Sequence, residues 1–359
     1  MFLNKIKLNI EQMQKFNILK VFTIATTSKQ EDKPYLTPVR STNDFVVCGC
    51  VIFDQTLLLE IITLIDGIVD VVLVDTEKKI PLRIHENIDD LDNEIYRVNN
   101  TVGVIETGNF SKICFNSIKK SKIYEYKPND LTVNATWLFL SQRLHFLSAK
   151  KISILGAGNI GSKLALKLVE CGCEVNIFRT NTYKGNIIAQ GLNLIKPNNT
   201  VSNINFHENK IQSSFMADVL IGTANGVQII DVNTIKSIKK DAIIIDLGKN
   251  TLTNEAIKYA LQNNIEIYRT DVTSALEGFI YEVIRMNSIL QHAYGKRDLG
   301  YCTIVGGGYF GNNGDIVVDN VSKPMSVFGV AQGDGTMKEQ LSIEDLQNTE
   351  KLKKEINNV

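Results

Sequence analysis

One segment limits what this chain can fold into more than any other. In ISILGAGNIGSKLALKLVECGCEVNIF, an apolar run leads into Gly156, Gly158 and Gly161 at G-x-G-x-x-G spacing, and an amphipathic period and a second apolar run follow at once. That order predicts strand, tight turn, helix and parallel strand. The first glycine permits the turn, the second lets a ligand approach the backbone, and the third lets the helix pack on the strand. The helix then points its free N–H groups at whatever sits on the loop, which suits a pyrophosphate. Gly156, Ala157, Gly158, Asn159, Ile160 and Gly161 are therefore the expected cofactor loop of a dinucleotide site.

The end of the second strand bears on which dinucleotide. A carboxylate there would accept from a ribose 2′-hydroxyl, but the residues are Arg179, Thr180 and Asn181. An arginine beside hydroxyl and amide groups suits a 2′-phosphate, so NADP is favoured over NAD. Ligands in open α/β sheets sit at the carboxyl ends of strands, which adds Thr223, Ala224 and Asn225 after ADVLIG, and Gly248 with Lys249 after IIID.

From Lys150 onward, short apolar runs alternate with helical periods, the pattern of a doubly wound parallel sheet. Strands are expected at Lys151 to Leu155, Glu174 to Phe178, Ser202 to Phe206, Ala217 to Gly222, Ala242 to Asp246 and Ile265 to Tyr268. Helices are expected at Ile160 to Glu170, Lys184 to Leu194, Asp231 to Lys239 and Asn254 to Gln262. Earlier, strands at Lys20 to Thr26, Val46 to Ile52, Val71 to Val74 and Val102 to Ile105 and helices at Leu57 to Ile65 and Asp89 to Val98 predict a smaller α/β domain. A connecting helix is expected over Asp130 to Ser148, capped by Asp130 or Thr132, and a return helix over Ser274 to Tyr294. The Gly-Asn-rich stretch Gly306 to Asn320 predicts a hairpin, and the polar tail from Lys338 a surface helix. The fold class is thus α/β: a Rossmann-type doubly wound parallel sheet preceded by a smaller α/β domain, with a C-terminal β-hairpin extension. The expected divisions are 1–130, 131–272, 273–298 and 299–359.

Composition removes other classes. With 44% hydrophobic and 22% charged residues the chain is an ordinary globular one, and 39 basic against 39 acidic residues offer nothing to a nucleic acid. The longest apolar region, Phe45 to Val74, is broken by Asp54, Glu60, Asp66 and Asp70, so no membrane span is expected. The N-terminus has no apolar run before a cleavage site, which points to the cytosol. Six cysteines are too few for a disulfide scaffold. The triplets Cys48-Gly-Cys50 and Cys171-Gly-Cys173 lack metal-ligand spacing, and His85, His145, His207 and His292 are scattered, so no metal is expected.

GAGNIG followed by FRTNTYKG after the second strand resembles the shikimate dehydrogenase group, whose second strand commonly ends in an Asn-Arg-Thr cofactor motif. ADVLIGTANG and IIIDLGKN are similar to the second half of methylenetetrahydrofolate dehydrogenases. The likeness runs from about Asp130 to Tyr294 and implies the two-domain, amino-acid-dehydrogenase-like superfamily of NAD(P)-dependent enzymes, which commonly form homo-oligomers. The first 130 residues and Gly306 to Asp334 follow neither family's pattern, so no substrate is carried over.

Hydride transfer needs a group that handles a proton and one that polarises a carbonyl or imine. The expected candidates are Lys127 and Asp130 before the connecting helix, Lys249, and Asp271 before the return helix, acting on a small polar keto, hydroxy or imino compound. Two other readings use the same residues. One is an enzyme that holds its dinucleotide permanently for internal redox, as a cyclodeaminase or lyase does; the other is a protein that binds the dinucleotide without turnover.

Overall fold

The apolar runs form strands of two sheets in the first unit of the chain and a third sheet in the second. The computed structural model describes residues 2–27, 33–53, 55–77 and 110–357. Contacts divide the chain into Met1–Ala275 and Leu276–Val359.

The chain opens with α1 (Phe2–Gln14), whose Ile6, Ile10 and Met13 form a buried stripe, and continues through β1 (Leu19–Ala25), β2 (Tyr35–Ser41), β3 (Phe45–Val51), α2 (Gln55–Ile65) and β4 (Val71–Asp75). After them come α3 (Phe110–Ser117) and β5 (Lys122–Tyr126). The five strands lie in the order β2-β3-β1-β4-β5, all parallel except β2. The core beneath them joins Phe22, Ile24, Val46, Val72, Leu58 and Ile61 to Ile6 and Met13. This is the smaller α/β layer expected from the sequence. Its edge strand β2 carries Pro38, and the register shifts between Thr37 and Arg40, which is where a residue without an N–H is tolerated. The strand expected at Val102 to Ile105, the helix at Asp89 to Val98, and His85 lie outside the described residues.

Helix α4 (Pro128–Arg143) leads to the larger sheet. It starts earlier than its capping residues predict and ends sooner. Pro128 presets the first helical turn, with Lys127 at the cap position in an extended conformation. Asp130 therefore sits inside the first turn, and the Thr132 hydroxyl donates back to the Pro128 carbonyl at 2.9 Å rather than capping. At the other end His145 and Ala149 take positive φ, so the remaining residues turn into the next strand.

That sheet contains β6 (Lys151–Leu155), β7 (Glu174–Phe178), β8 (Ile204–His207), β9 (Val219–Gly222), β10 (Ile243–Asp246) and β11 (Glu266–Arg269). The intervening helices are α5 (Asn159–Glu170), α6 (Thr182–Ile195), α7 (Lys210–Ser214), α8 (Val232–Ser237) and α9 (Asn254–Gln262). The strand order is β11-β10-β9-β6-β7-β8, all parallel. Counted from β6, this is the 3-2-1-4-5-6 order of the Rossmann fold, and its direction reverses between β6 and β9. Gly172, at φ +84, ends α5 and starts β7, so Cys171 and Cys173 serve a helix-to-strand turn.

Helix α10 (Thr273–His292) runs from the end of the first unit into the second. The second unit adds β12 (Gly295–Asp298), β13 (Thr303–Gly306), β14 (Ile316–Val318), β15 (Val327–Val330) and α11 (Ile343–Asn357). The C-terminal hairpin extension is present, but its antiparallel pairs are β12–β13 and β14–β15. The expected turn at Gly306 to Asn320 is instead a crossover between β13 and β14, which run parallel. Gly307 and Gly308 swing the chain off β13 at positive φ, and the Asp315 carboxylate ties the loop by accepting from the Asn312 N–H at 2.7 Å.

Among the described residues no helix is long and apolar enough to cross a membrane. Ile154 lies fully buried on β6 at the centre of the larger sheet, packed in one cluster with Leu164, Val175, Val219 and Ile245. Ile154→Ala is expected to cost about 2–5 kcal/mol of unfolding free energy in a urea titration. A loss under about 1 kcal/mol would mean that the sheet centre is not close-packed.

Candidate functional site

The reversal between β6 and β9 opens a cavity of about 730 Å³ at the carboxyl ends of the strands. Its floor is the glycine loop. Gly156 takes φ +115, and a Cβ there would lie 2.7 Å from the Ala224 nitrogen. A Cβ on Gly161 would lie 2.3 Å from the Gly156 carbonyl oxygen. The protein's own backbone therefore demands glycine at both positions. Gly158 differs, because a Cβ there would meet nothing within 4 Å. It caps α5 without a side-chain hydrogen bond, so the first-turn N–H groups face the cavity uncovered. This is a cradle that a ligand, not the protein, would fill, and its donors fit a pyrophosphate.

Thr223 and Arg179 shape the loop from two sides. The Thr223 hydroxyl donates to the Gly156 carbonyl, and the Arg179 guanidinium, at the end of β7, donates to the Ala157 carbonyl. Arg179 and Thr180 line the cavity, whereas Asn181 is spent as the cap of α6, accepting from the Lys184 N–H at 2.9 Å. Ala224, Asn225, Gly248 and Lys249 complete this wall. Lys249 and Asn250 both have positive φ. The turn is closed by Asp246, which accepts from the Asn250 and Thr251 N–H groups at 2.9 and 3.0 Å, from the Thr251 hydroxyl at 2.7 Å and from Arg269 at 3.2 Å. Burial pushes the Asp246 carboxyl up, but these hydrogen bonds outweigh it and hold the group below its ordinary range.

The expected site residues thus divide. Gly156, Ala157, Gly158, Asn159, Ile160, Gly161, Arg179, Thr180, Thr223, Ala224, Asn225, Gly248 and Lys249 share one cavity. Lys127, Asp130, Asn181 and Asp271 do not line it. Lys127 and Asp130 form an ion pair at 3.0 Å, and Lys163 of α5 reaches Asp130 from the other side. Partial burial raises the Asp130 carboxyl, yet hydrogen bonds from Lys163 and Lys127 bring it below its usual value. The same hydrogen bond and charge raise Lys127. Both groups are held in their charged forms, which makes them a brace rather than a pair poised to trade a proton near neutral pH. Asp271 is engaged locally, accepting from the Thr273 N–H at 2.9 Å and from its hydroxyl, while Arg40 of β2 also reaches that hydroxyl.

The opposite wall was not foreseen. Thr27 and Tyr35, from the ends of the smaller sheet, and Pro128, Asn129 and Thr132, from the start of α4, face the glycine loop. Pro128 and Asn129 lie between the two expected candidates Lys127 and Asp130. For Thr27 and Tyr35 the sequence carries no periodic signal, since Pro34 and Pro38 disguise β2 as a loop. Among the described residues no group of three or more His, Cys, Asp or Glu is placed to hold a metal ion.

The family model of the NAD-binding domain of D-isomer specific 2-hydroxyacid dehydrogenases matches residues 127–277. Residues 127–277 thus carry a Rossmann-type, NAD(P)-binding, dehydrogenase-like domain. No curated protein matches it. Among solved structures it is similar to a dipicolinate synthase chain from Bacillus halodurans at 13% identity and a TM-score of 0.35, covering 75% of this chain and 97% of that one. It is also similar to an ornithine carbamoyltransferase from Campylobacter jejuni, with 14% identity, a TM-score of 0.40 and coverage of 78% and 95%. A shikimate dehydrogenase in complex with NADP+ matches at 15% identity and a TM-score of 0.37, over 70% of this chain and 84% of that one.

Two tests separate fold from binding in this domain. Gly161→Ala must displace backbone and is expected to destabilise by about 1–3 kcal/mol, whereas Gly158→Ala should change the melting temperature little and weaken dinucleotide binding. Equal destabilisation by both would contradict the open position at Gly158. For Asp246, whose folded pKa lies below the unfolded value of 3.8, the stabilisation is complete above that value and disappears as pH falls through the folded one. Asp246→Asn should therefore cost about 1–3 kcal/mol in urea unfolding at neutral pH. The gap to wild type should close below pH 3.8, and a gap that widens in acid would contradict this account.

Proposed function

We propose that this protein is an NAD(P)-dependent oxidoreductase that favours NADP and moves a hydride to or from a small polar keto, hydroxy or imino compound. The observation that carries the reading is a single cavity with the glycine loop and the bare start of α5 on one wall and hydroxyl and amide side chains on the other. When bound, a nicotinamide dinucleotide supplies or accepts the hydride. The chain's own residues bind and orient it: α5 presents N–H groups to the phosphates, and Thr223 keeps the loop in shape.

Of the catalytic candidates, Lys249 is the one at the cavity, and its ammonium would polarise a carbonyl or imine and handle the proton. The Lys127–Asp130 pair and Asp271 would act by holding elements in place. Tyr35 and Thr132 offer polar contacts to a small substrate. Residues 1–130 then form the substrate side and 131–272 the cofactor side, and we take the protein as a cytosolic homo-oligomer without a nucleic-acid partner, consistent with its zero net charge.

The preference for NADP rests on Arg179. The matching family model is named for NAD, yet the second strand ends here in Arg179 and Thr180 at the cavity, without a carboxylate to accept from a 2′-hydroxyl. A guanidinium binds a 2′-phosphate through charge-assisted hydrogen bonds. Calorimetric titration with NADP and NAD, after a check for copurified nucleotide, tests this. Arg179→Asp should weaken NADP binding by about 10- to 100-fold more than it weakens NAD binding, which feels only the lost bond to the Ala157 carbonyl. If neither dinucleotide binds and none copurifies, the proposal fails.

A further inference from the structure

The inference concerns Asn129 and rests on the reading of the cavity as a dinucleotide site. Helix α5 is capped by Gly158, so no side chain of the cap residue covers its first-turn N–H groups. The first residue of the helix is Asn159, and short amide side chains of this kind compete locally for backbone N–H groups. Left unrestrained, Asn159 would be an internal competitor for the same donors that a pyrophosphate requires.

In the structure this carboxamide is engaged elsewhere. Asn159 Oδ1 accepts from Asn129 Nδ2 at 3.2 Å, and both residues line the cavity. Asn129 is itself well anchored. It follows Pro128 at the start of α4, and its backbone N–H donates to the Glu77 carboxylate at 2.7 Å. Glu77 lies 3.6 Å from Lys163 of α5, and Lys163 also pairs with Asp130 of α4. The beginnings of α4 and α5 are thus tied by ions on one side and by the amide pair on the other.

The geometry points to Asn129 as a positioning residue for the dinucleotide loop, one that holds the Asn159 side chain off the first turn of α5 so that its N–H groups stay open to phosphate. Asn129 acts here through Asn159, not through the ligand. The effect of removing it must therefore vanish when Asn159 has no carboxamide to restrain.

Calorimetry with NADP and with NAD on wild type, Asn129→Ala, Asn159→Ala and the double variant reads this directly, with thermal melts alongside. Asn129→Ala keeps the backbone bond to Glu77, and Asn129→Ser, which suits a helix start, serves as the second variant if the first melts early. Loss of the restraint should weaken binding by ~3- to 10-fold with an unchanged melt. In the Asn159→Ala background the same substitution should change affinity less than about twofold. Wild-type affinity in Asn129→Ala, or an equal loss in both backgrounds, would overturn the positioning role while leaving the dinucleotide reading intact. A wild-type protein that binds neither dinucleotide would remove both.

Discussion

The candidate site depends on how closely backbone passes backbone where the sheet changes direction. Gly156, Gly161 and the Thr223–Ala224 peptide meet at distances that leave no room for a Cβ on either glycine. This contact brings α5 down onto β6 and aligns its N-terminus with the strand ends. Thr223 then locks the arrangement by donating to the Gly156 carbonyl. A cradle for an anion results as a consequence of packing, because of the three loop glycines that line the cavity only Gly158 has open space where a Cβ would lie. Removing the close approach would tilt α5, and the helix dipole would no longer point at the ligand.

Charge placement around that contact follows a division of labour. Carboxylates in and beside the candidate site are consumed by structure: Asp246 closes the turn that carries Lys249, while of the two expected from the sequence Asp130 sits between Lys127 and Lys163 and Asp271 holds Thr273. Each is held below its ordinary pKa by its hydrogen bonds, so each stays ionised through the neutral range. The charged side chains left on the cavity wall, Arg179 and Lys249, are both cations. A cavity so lined favours anionic and polar ligands over apolar ones.

The larger sheet was legible apart from the short α7, which the sequence did not announce, and one or two residues at element ends. Its central strands β6, β9 and β10 are short, almost wholly buried and rich in Ile, Val and Leu, so local pattern and final structure agree there, while the edge strands β8 and β11 are half-buried. The smaller layer was only half visible. α1 reads as a polar segment until Ile6, Ile10 and Met13 are seen to share one face, and β2 is masked by Pro34 and Pro38. The hairpin at Gly306 to Asn320 shows the limit of turn signals. Asn-Asn-Gly marks a loop, but whether the flanking strands run antiparallel or parallel depends on the path between them; here β13 and β14 pair in parallel, and β14 finds its antiparallel partner in β15.

By itself the sequence determined the glycine-loop half of the candidate site. That half comes from one contiguous strand-turn-helix-strand unit and from strand ends, and steric demands on glycine are written locally. Only the tertiary structure decided what faces it. Thr27, Tyr35, Asn129 and Thr132 come from separate elements with no shared period, and they converge because α4 and the smaller sheet are held within the first unit by long-range packing and ion pairs. The fate of a carboxylate was equally beyond reach of the sequence. Whether Asp130 or Asp246 is a reagent or a brace depends on which hydrogen-bond donors lie within about 3 Å, and those donors are set by the fold.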